Sequence, residues 1–387
     1  MKKIILLGLV TVVAFSSCKK KGCTDPTANN YNAEAEKDDG SCTYDVTPPP
    51  VTYTVPTTYT FTDANGNNTV SYSGQTARLD MLGEMTSYLK SANGSNSSPA
   101  TLSASDLLAM YDNSYTGWSD QTLVGNGKQL KSKTALGDAG VQGQFETWMN
   151  EVAAASPDTS TGYLQAASGH EWTQLIEKGL MSACFVSQMT GNYLAGIASD
   201  DNTTAVDAAN GKHYTEMEHH WDEAYGYFTS ATDYPTSGTD RFWGKYANNT
   251  LESVIGSATT IATAFRTGRA AISAGVTADA LAQAAIIETA AQQMVAGMAI
   301  HYLNSTKEKV AAGETQNKVN HYLSEAWAFI YGLQFVNNSP MGTNDVTALL
   351  TQIDTDFVGF SNSVPSINAV IDQIAAAFNL TDVKDQL

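Results

Sequence analysis

The stretch Ala280-Leu-Ala-Gln-Ala-Ala-Ile-Ile-Glu288-Thr-Ala-Ala-Gln-Gln-Met294-Val-Ala-Gly-Met-Ala-Ile-His301-Tyr-Leu303 decides the fold. It is rich in Ala, Ile and Met and almost free of charge, the pattern of a helix packed on most of its sides. A membrane span would look similar, but Glu288 and the glutamines interrupt the run, which favours burial in a helical core. Such a helix needs others around it. Apolar residues at spacings of three and four mark them at about 76–91, 104–113, 139–155, 169–190, 212–228, 239–248, 253–274, 278–311, 314–337, 344–356 and 365–379. Ser168 and Glu171 read as a capping box opening the fourth of these. Polar stretches at 92–99 and 200–211 read as connecting loops. The expected fold is all-α: one large helical bundle-type domain over 57–387, with a short N-terminal β-hairpin. The hairpin signal is Tyr59 to Tyr72, which alternates apolar and polar residues around Asn65-Gly66.

Upstream of this domain the chain reads as an address followed by a tether. Met1-Lys2-Lys3 is positive, Ile4 to Phe15 is apolar, and Ser16-Ser17-Cys18 places two small residues before a cysteine, the order of a secretory signal peptide. The apolar run is too short to span a bilayer. Its ending resembles a bacterial lipobox, which implies cleavage of residues 1–17 and a lipid on Cys18 as the membrane anchor. In an exported chain Cys23 and Cys42 are expected to pair and staple a loop-rich module. Pro48-Pro49-Pro50 then lies in a Thr-, Val- and Pro-rich spacer, so that 18–56 is anchor, stapled module and spacer. The remaining cysteine, Cys184, sits in an apolar run and reads as a buried free thiol.

A formal charge of −18 and a pI near 4.6 disfavour nucleic acid or an anionic membrane surface as partner. Three of the six histidines fall between Gly211 and Phe228, among four acidic and five aromatic residues. On a helix, Tyr214, Met217, Trp221, Ala224 and Phe228 form an apolar stripe, and His213, Glu216, His220, Glu223 and Tyr227 follow one edge of it. His219, Asp222 and Glu218 are then expected to face solvent. Imidazole and carboxylate groups at i, i+3 and i+7 can share iron or zinc with ligands from a facing helix. The same spacing also serves a network of i, i+4 pairs with no metal. His170, Glu177, His301 and the pair His321 and Glu325 are the other titratable groups that could complete a site, each with an ordinary packing role as alternative. His-Glu-x-x-His is absent, because Gln174 stands where the second histidine would be. No Ser-His-Asp order, phosphate loop or Cys-x-x-Cys is present either.

Gly169 to Met181, Glu218 to Phe228, Arg241-Phe-Trp-Gly-Lys-Tyr246 and Leu323 to Phe329, together with the lipobox, resemble an uncharacterised family of Bacteroidota lipoproteins. The helical layout and Gly211-x-His213-x-x-Glu216 are more distantly similar to imelysin-like proteins, helical-bundle envelope proteins linked to iron uptake, some described as metallopeptidases. The resemblance implies a lipid-anchored outer-membrane protein binding a metal or an iron-bearing ligand through His213, Glu216, His220 and Glu223. Two other readings stay open. One is a metallopeptidase using the same seam, with Glu216 or Glu223 as general base. The other is an interaction lipoprotein whose aromatic segments, Trp221 to Phe228 and Phe242 to Tyr246, meet envelope protein partners. Lys19-Lys20-Lys21 after the anchor departs from the acidic start that resembles a surface-export rule, which favours the periplasmic face over the cell surface.

Overall fold

The computed structural model describes residues 19–43, 51–156, 162–236, 238 and 240–387. The signal segment, Cys18 and the proline run lie outside the described residues. The chain divides into two units, Met1–Thr52 and Tyr53–Leu387. In the first, Cys23 and Cys42 are disulfide-bonded. Its turns are held by side chains: Asp38 and Asp39 accept from the Gly40 and Ser41 amides.

The second unit is helical. Its helices are α1 (Ser73–Ser91), α2 (Ala104–Asp112), α3 (Ala139–Ala155), α4 (Trp172–Leu180), α5 (Glu216–Phe228), α6 (Phe242–Tyr246), α7 (Glu252–Ile255), α8 (Ser257–Ser273), α9 (Thr277–Ala311), α10 (Gln316–Gly332), α11 (Thr343–Asp354), α12 (Phe357–Ser361) and α13 (Val364–Ala377). The segment that opened the reading is the middle of α9, which packs most extensively on α8 and α10. Ile287, Met294, Val295, Met298, Ile300 and Leu303 are all fully buried there. Among the described residues no helix is long and apolar enough to cross a membrane. Cys184 is a buried free thiol, and burial pushes its pKa up to about 12.

Two helices depart from α geometry. α4 runs on as a π-helix over Met181–Leu194, and a π-helical stretch Ala247–Leu251 joins α6 to α7. Each π turn re-aims the side chains that follow, and such insertions gather at functional sites.

Four sequence expectations need correction. The capping box at Ser168 does not form: α4 begins at Trp172, the Ser168 hydroxyl meets His170 Nδ1, and Glu171 is drawn away to His321. The expected hairpin shrinks to one bridge between Thr62 and Asn68 around a turn held by the Asp63 carboxylate. Past the few backbone bonds around that bridge its backbone is bonded by side chains: Arg269 donates to the Thr69 carbonyl, His219 meets the Ser71 carbonyl, and the Ser71 amide donates to Asp222. The two-stranded sheet lies elsewhere, with β1 (Ala205–Asp207) antiparallel to β2 (Lys212–Thr215). Residues 212–215 are therefore strand, not helix. Thr215 caps α5 through a capping box with Glu218, which fixes the helix start after His213.

The fourth correction concerns the solvent-facing edge of α5. Asp222 is 0% exposed and Glu218 is buried. The segment from Tyr59 to Ser71 covers that side of the helix, something helical periodicity cannot register. Arg269 of α8, itself buried, uses all five of its N–H donors there. It reaches Asp222 Oδ1 at 2.9 Å, Glu218 Oε1 at 2.6 Å, the Ser273 hydroxyl, and the carbonyl and hydroxyl of Thr69. Tyr59 donates to the same Asp222 oxygen at 2.8 Å.

Candidate functional site

The seam inferred from the sequence resolves into separate local pairings. His213 on β2 lies 3.8 Å from Asp63. Glu216 accepts from the Asp201 amide. His220 Nδ1 meets Asp200 Oδ2 at 2.8 Å, and Glu223 accepts from Gln75 Nε2 at 2.8 Å. His219 stacks on Tyr214, and burial lowers its pKa. Among the described residues no group of three or more His, Cys, Asp or Glu is placed to hold a metal ion. His170 pairs with Asp354 and leans on Phe357 and Trp327, while burial lowers the pKa of His301 on α9.

Chemistry gathers instead around α4. From Trp172 to Leu180 every residue is buried, yet the run carries Thr173, Gln174, Glu177 and Lys178. A helix buried all round is ordinarily apolar, so these polar groups need partners. Gln174, Glu177 and Lys178 line a cavity of about 540 Å³, larger than the others found among the described residues, together with α1, α6, Tyr302 of α9, and His321 and Glu325 of α10.

Charges alternate along one wall. Lys90 Nζ is 3.1 Å from Glu177, whose other oxygen lies 3.1 Å from Lys178 Nζ. Lys178 is 3.7 Å from Glu325, Glu325 is 3.9 Å from His321 Nε2, and His321 Nδ1 meets Glu171 at 2.6 Å. Lys178 also sits over the Tyr246 ring at 5.4 Å. The side-chain amide of Gln174 donates to Glu171, which leaves Gln174 Oε1 without a hydrogen bond, as is Thr86 Oγ1.

The pKa shifts follow from this order. Burial disfavours the Lys178 ammonium, but Glu177 and Glu325 outweigh it and the pKa rises. Burial likewise disfavours the Glu177 carboxylate, and Lys178 with Lys90 overcomes it, so that group is lowered. At Glu325 burial prevails over Lys178 and His321, and the pKa is raised. His321 is raised too, since the Glu171 hydrogen bond and charge exceed the penalty of burial. Two carboxyl groups displaced in opposite directions beside an oriented imidazole mark a place able to bind or exchange protons with a ligand.

The backbone adds one further sign. Phe242, on the cavity wall, has φ of 50°, a left-handed conformation that costs a bulky residue of the order of 1–3 kcal/mol and recurs at ligand sites. The sequence flagged Glu177 by itself and His321 with Glu325 as a pair, but did not bring the two together. What could have joined them is the polar content of α4, where Gln174, Glu177 and Lys178 interrupt an otherwise apolar run leading into Cys184.

No curated protein and no solved structure matches the chain. A family model does: over residues 56–381, nearly the whole helical unit, the chain belongs to the family described as a domain of unknown function, DUF4856.

Proposed function

We propose that this is a lipid-anchored envelope protein that binds a small polar ligand in the cavity between α1, α4, α6 and α10. The observation that carries the reading is Lys178, 4% exposed, held between Glu177 and Glu325 on the cavity wall. Removing such ions from water costs several kcal/mol each, and well-packed apolar side chains would serve stability as well or better. A buried charge chain that opens onto a ligand-sized space is therefore better explained by recognition than by packing.

The envelope location rests on Met1 to Cys18 and on the resemblance of Ser16-Ser17-Cys18 to a lipobox. The same features support a place among Bacteroidota lipoproteins, with Gly211-x-His213-x-x-Glu216 as the link to imelysin-like proteins and Lys19-Lys20-Lys21 favouring the periplasmic face. Cys18→Ala is expected to move the protein from the membrane pellet to the soluble fraction; an unchanged pellet would count against the anchor.

Gly83 supplies the test of the cavity. It lies in the middle of α1 on the cavity wall, and a Cβ there meets nothing nearer than Arg241 Nη1 at 3.9 Å. Gly83→Trp fills the space while improving helix propensity, so the variant folds. Thermal denaturation with a panel of sugars, sugar acids, amino acids, amines and phosphate esters is expected to show at least one class that stabilises the wild type. At a concentration near 100 Kd the gain is about 2.7 kcal/mol, a shift of a few degrees. The same class leaves Gly83→Trp unmoved. If no class shifts the wild type, or the plugged variant responds equally, the cavity is not the binding site.

A further inference from the structure

We infer that the ligand of this cavity is a small hydroxylated carboxylic acid of about monosaccharide size, its carboxylate taken at the mouth by Lys245. This rests on the cavity reading above and adds the chemical class.

The sign of the lining is the first argument. In a chain of net charge −18, the cavity is lined by four cations, Lys90, Lys178, Arg241 and Lys245, against three acids, Glu177, Asp240 and Glu325. Local charge is thus inverted relative to the body, and a cleft of that kind draws anions. The second argument is which charges are already used. Glu177 faces Lys90 and Lys178; Glu325 faces Lys178 and His321; Asp240 accepts from the Thr229 hydroxyl. Arg241 is held by Asp80 at 2.6 Å. Among the described residues Lys245 alone of the four cations has no carboxylate within ion-pair distance, and it is exposed at the opening. A cationic ligand would find Glu177 and Glu325 already facing cations and a like charge at the entrance. An anion would find Lys245.

Position sharpens this. Arg241, just before α6, is taken up by Asp80, while Lys245 four residues on lines the same cavity with no acid partner among the described residues.

The rest of the lining selects hydroxyls. Gln174 Oε1 and Thr86 Oγ1 belong to lining residues and have no hydrogen-bond partner. The Tyr246 and Tyr302 phenols, 3.3 Å apart, share the wall with Phe242. Hydroxyl donors supply what the amide oxygen lacks, and the aromatic faces cover the C–H surface of a small ring. At about 540 Å³ the space suits a ligand of this size.

The test is titration calorimetry of the full mature chain with D-glucuronate, D-glucose and inorganic phosphate, using wild type, Lys245→Ala and Lys245→Arg. Glucuronate is expected to bind at least about tenfold more tightly than glucose, and Lys245→Ala to weaken it about tenfold without changing glucose. Lys245→Arg is expected to retain most of the affinity. Glucose binding as tightly as glucuronate, or an unchanged Lys245→Ala, overturns the role of the charge; phosphate equal to glucuronate overturns the role of the hydroxyls. No binding by glucuronate overturns the class. If the thermal panel then yields an amine or an apolar compound sensitive to Gly83→Trp, the class is wrong and the cavity stands; if it yields nothing, both fail.

Discussion

Replacing Arg269 by Met is expected to cost about 3–5 kcal/mol at neutral pH, read from the midpoint of urea unfolding. Met keeps most of the side-chain bulk but removes the only cation bonded to Asp222 among the described residues, along with the cationic partner of Glu218. Both carboxylates stay buried, because the Tyr59 to Ser71 segment still covers them. The pH dependence has a defined sign. Burial already lifts Asp222 to about 6 in spite of Arg269 beside it. A carboxyl raised in the fold loses nothing below its unfolded value near 3.9 and penalises the fold increasingly as pH climbs through the folded value. Without the guanidinium the folded value climbs further, so the deficit of Arg269→Met is expected to grow from about pH 6 toward that higher value and to shrink toward pH 5. Adding Asp222→Asn should recover part of the loss at pH 7, since a neutral amide oxygen still accepts from Tyr59 or Ser71. A deficit independent of pH, or no recovery in the double variant, would show that Arg269 acts through its hydrogen bonds to Thr69 and Ser273 and not through its charge beside Asp222.

That cluster also marks how far the sequence could be read. Helices were legible wherever an apolar stripe ran for three turns or more: α1, α3, α8, α9 and α11 begin and end within a few residues of the expected bounds. Arg269 carried a signal of its own, standing in the stripe of Phe265 and Ile272 where an apolar residue would belong. Its partners did not. Glu218 and Asp222 lie opposite the Trp221 stripe, and only the long-range return of residues 59–71 buries them. The β2 strand is too short for a period-two pattern, and its error carried His213 into a helix it does not occupy. At the candidate site Glu177, His321 and Glu325 were visible as titratable groups, but Lys178 between them was not singled out and their convergence was not legible. Glu171, Glu177, His321 and Glu325 meet only because α10 packs across α4, a contact separated by about 150 residues of chain.

Gly268→Ala is the substitution for which chemistry most understates the outcome. In an exposed helix interior, exchanging Gly for Ala gains about 1 kcal/mol. At Gly268 of α8 the new Cβ would lie 2.1 Å from Cζ2 and 2.4 Å from Cη2 of Trp221. The indole cannot swing aside cheaply. Its Nε1 donates to the Phe265 carbonyl at 3.0 Å, its ring packs edge-on to Phe265, and it is fully buried. Either the bond is lost or α5 moves away from α8, and overpacking of that kind costs about 3 kcal/mol. The net expectation is a loss of about 2 kcal/mol after the gain in propensity. Gly143→Ala on α3 provides the contrast, for a Cβ there meets nothing within 4 Å. It is expected to stabilise by about 0.5–1 kcal/mol. Denaturant unfolding of the two variants side by side should therefore give opposite signs; equal effects would mean that the α5 and α8 backbones are not held together at Trp221 and that the Arg269 cluster is free to reposition.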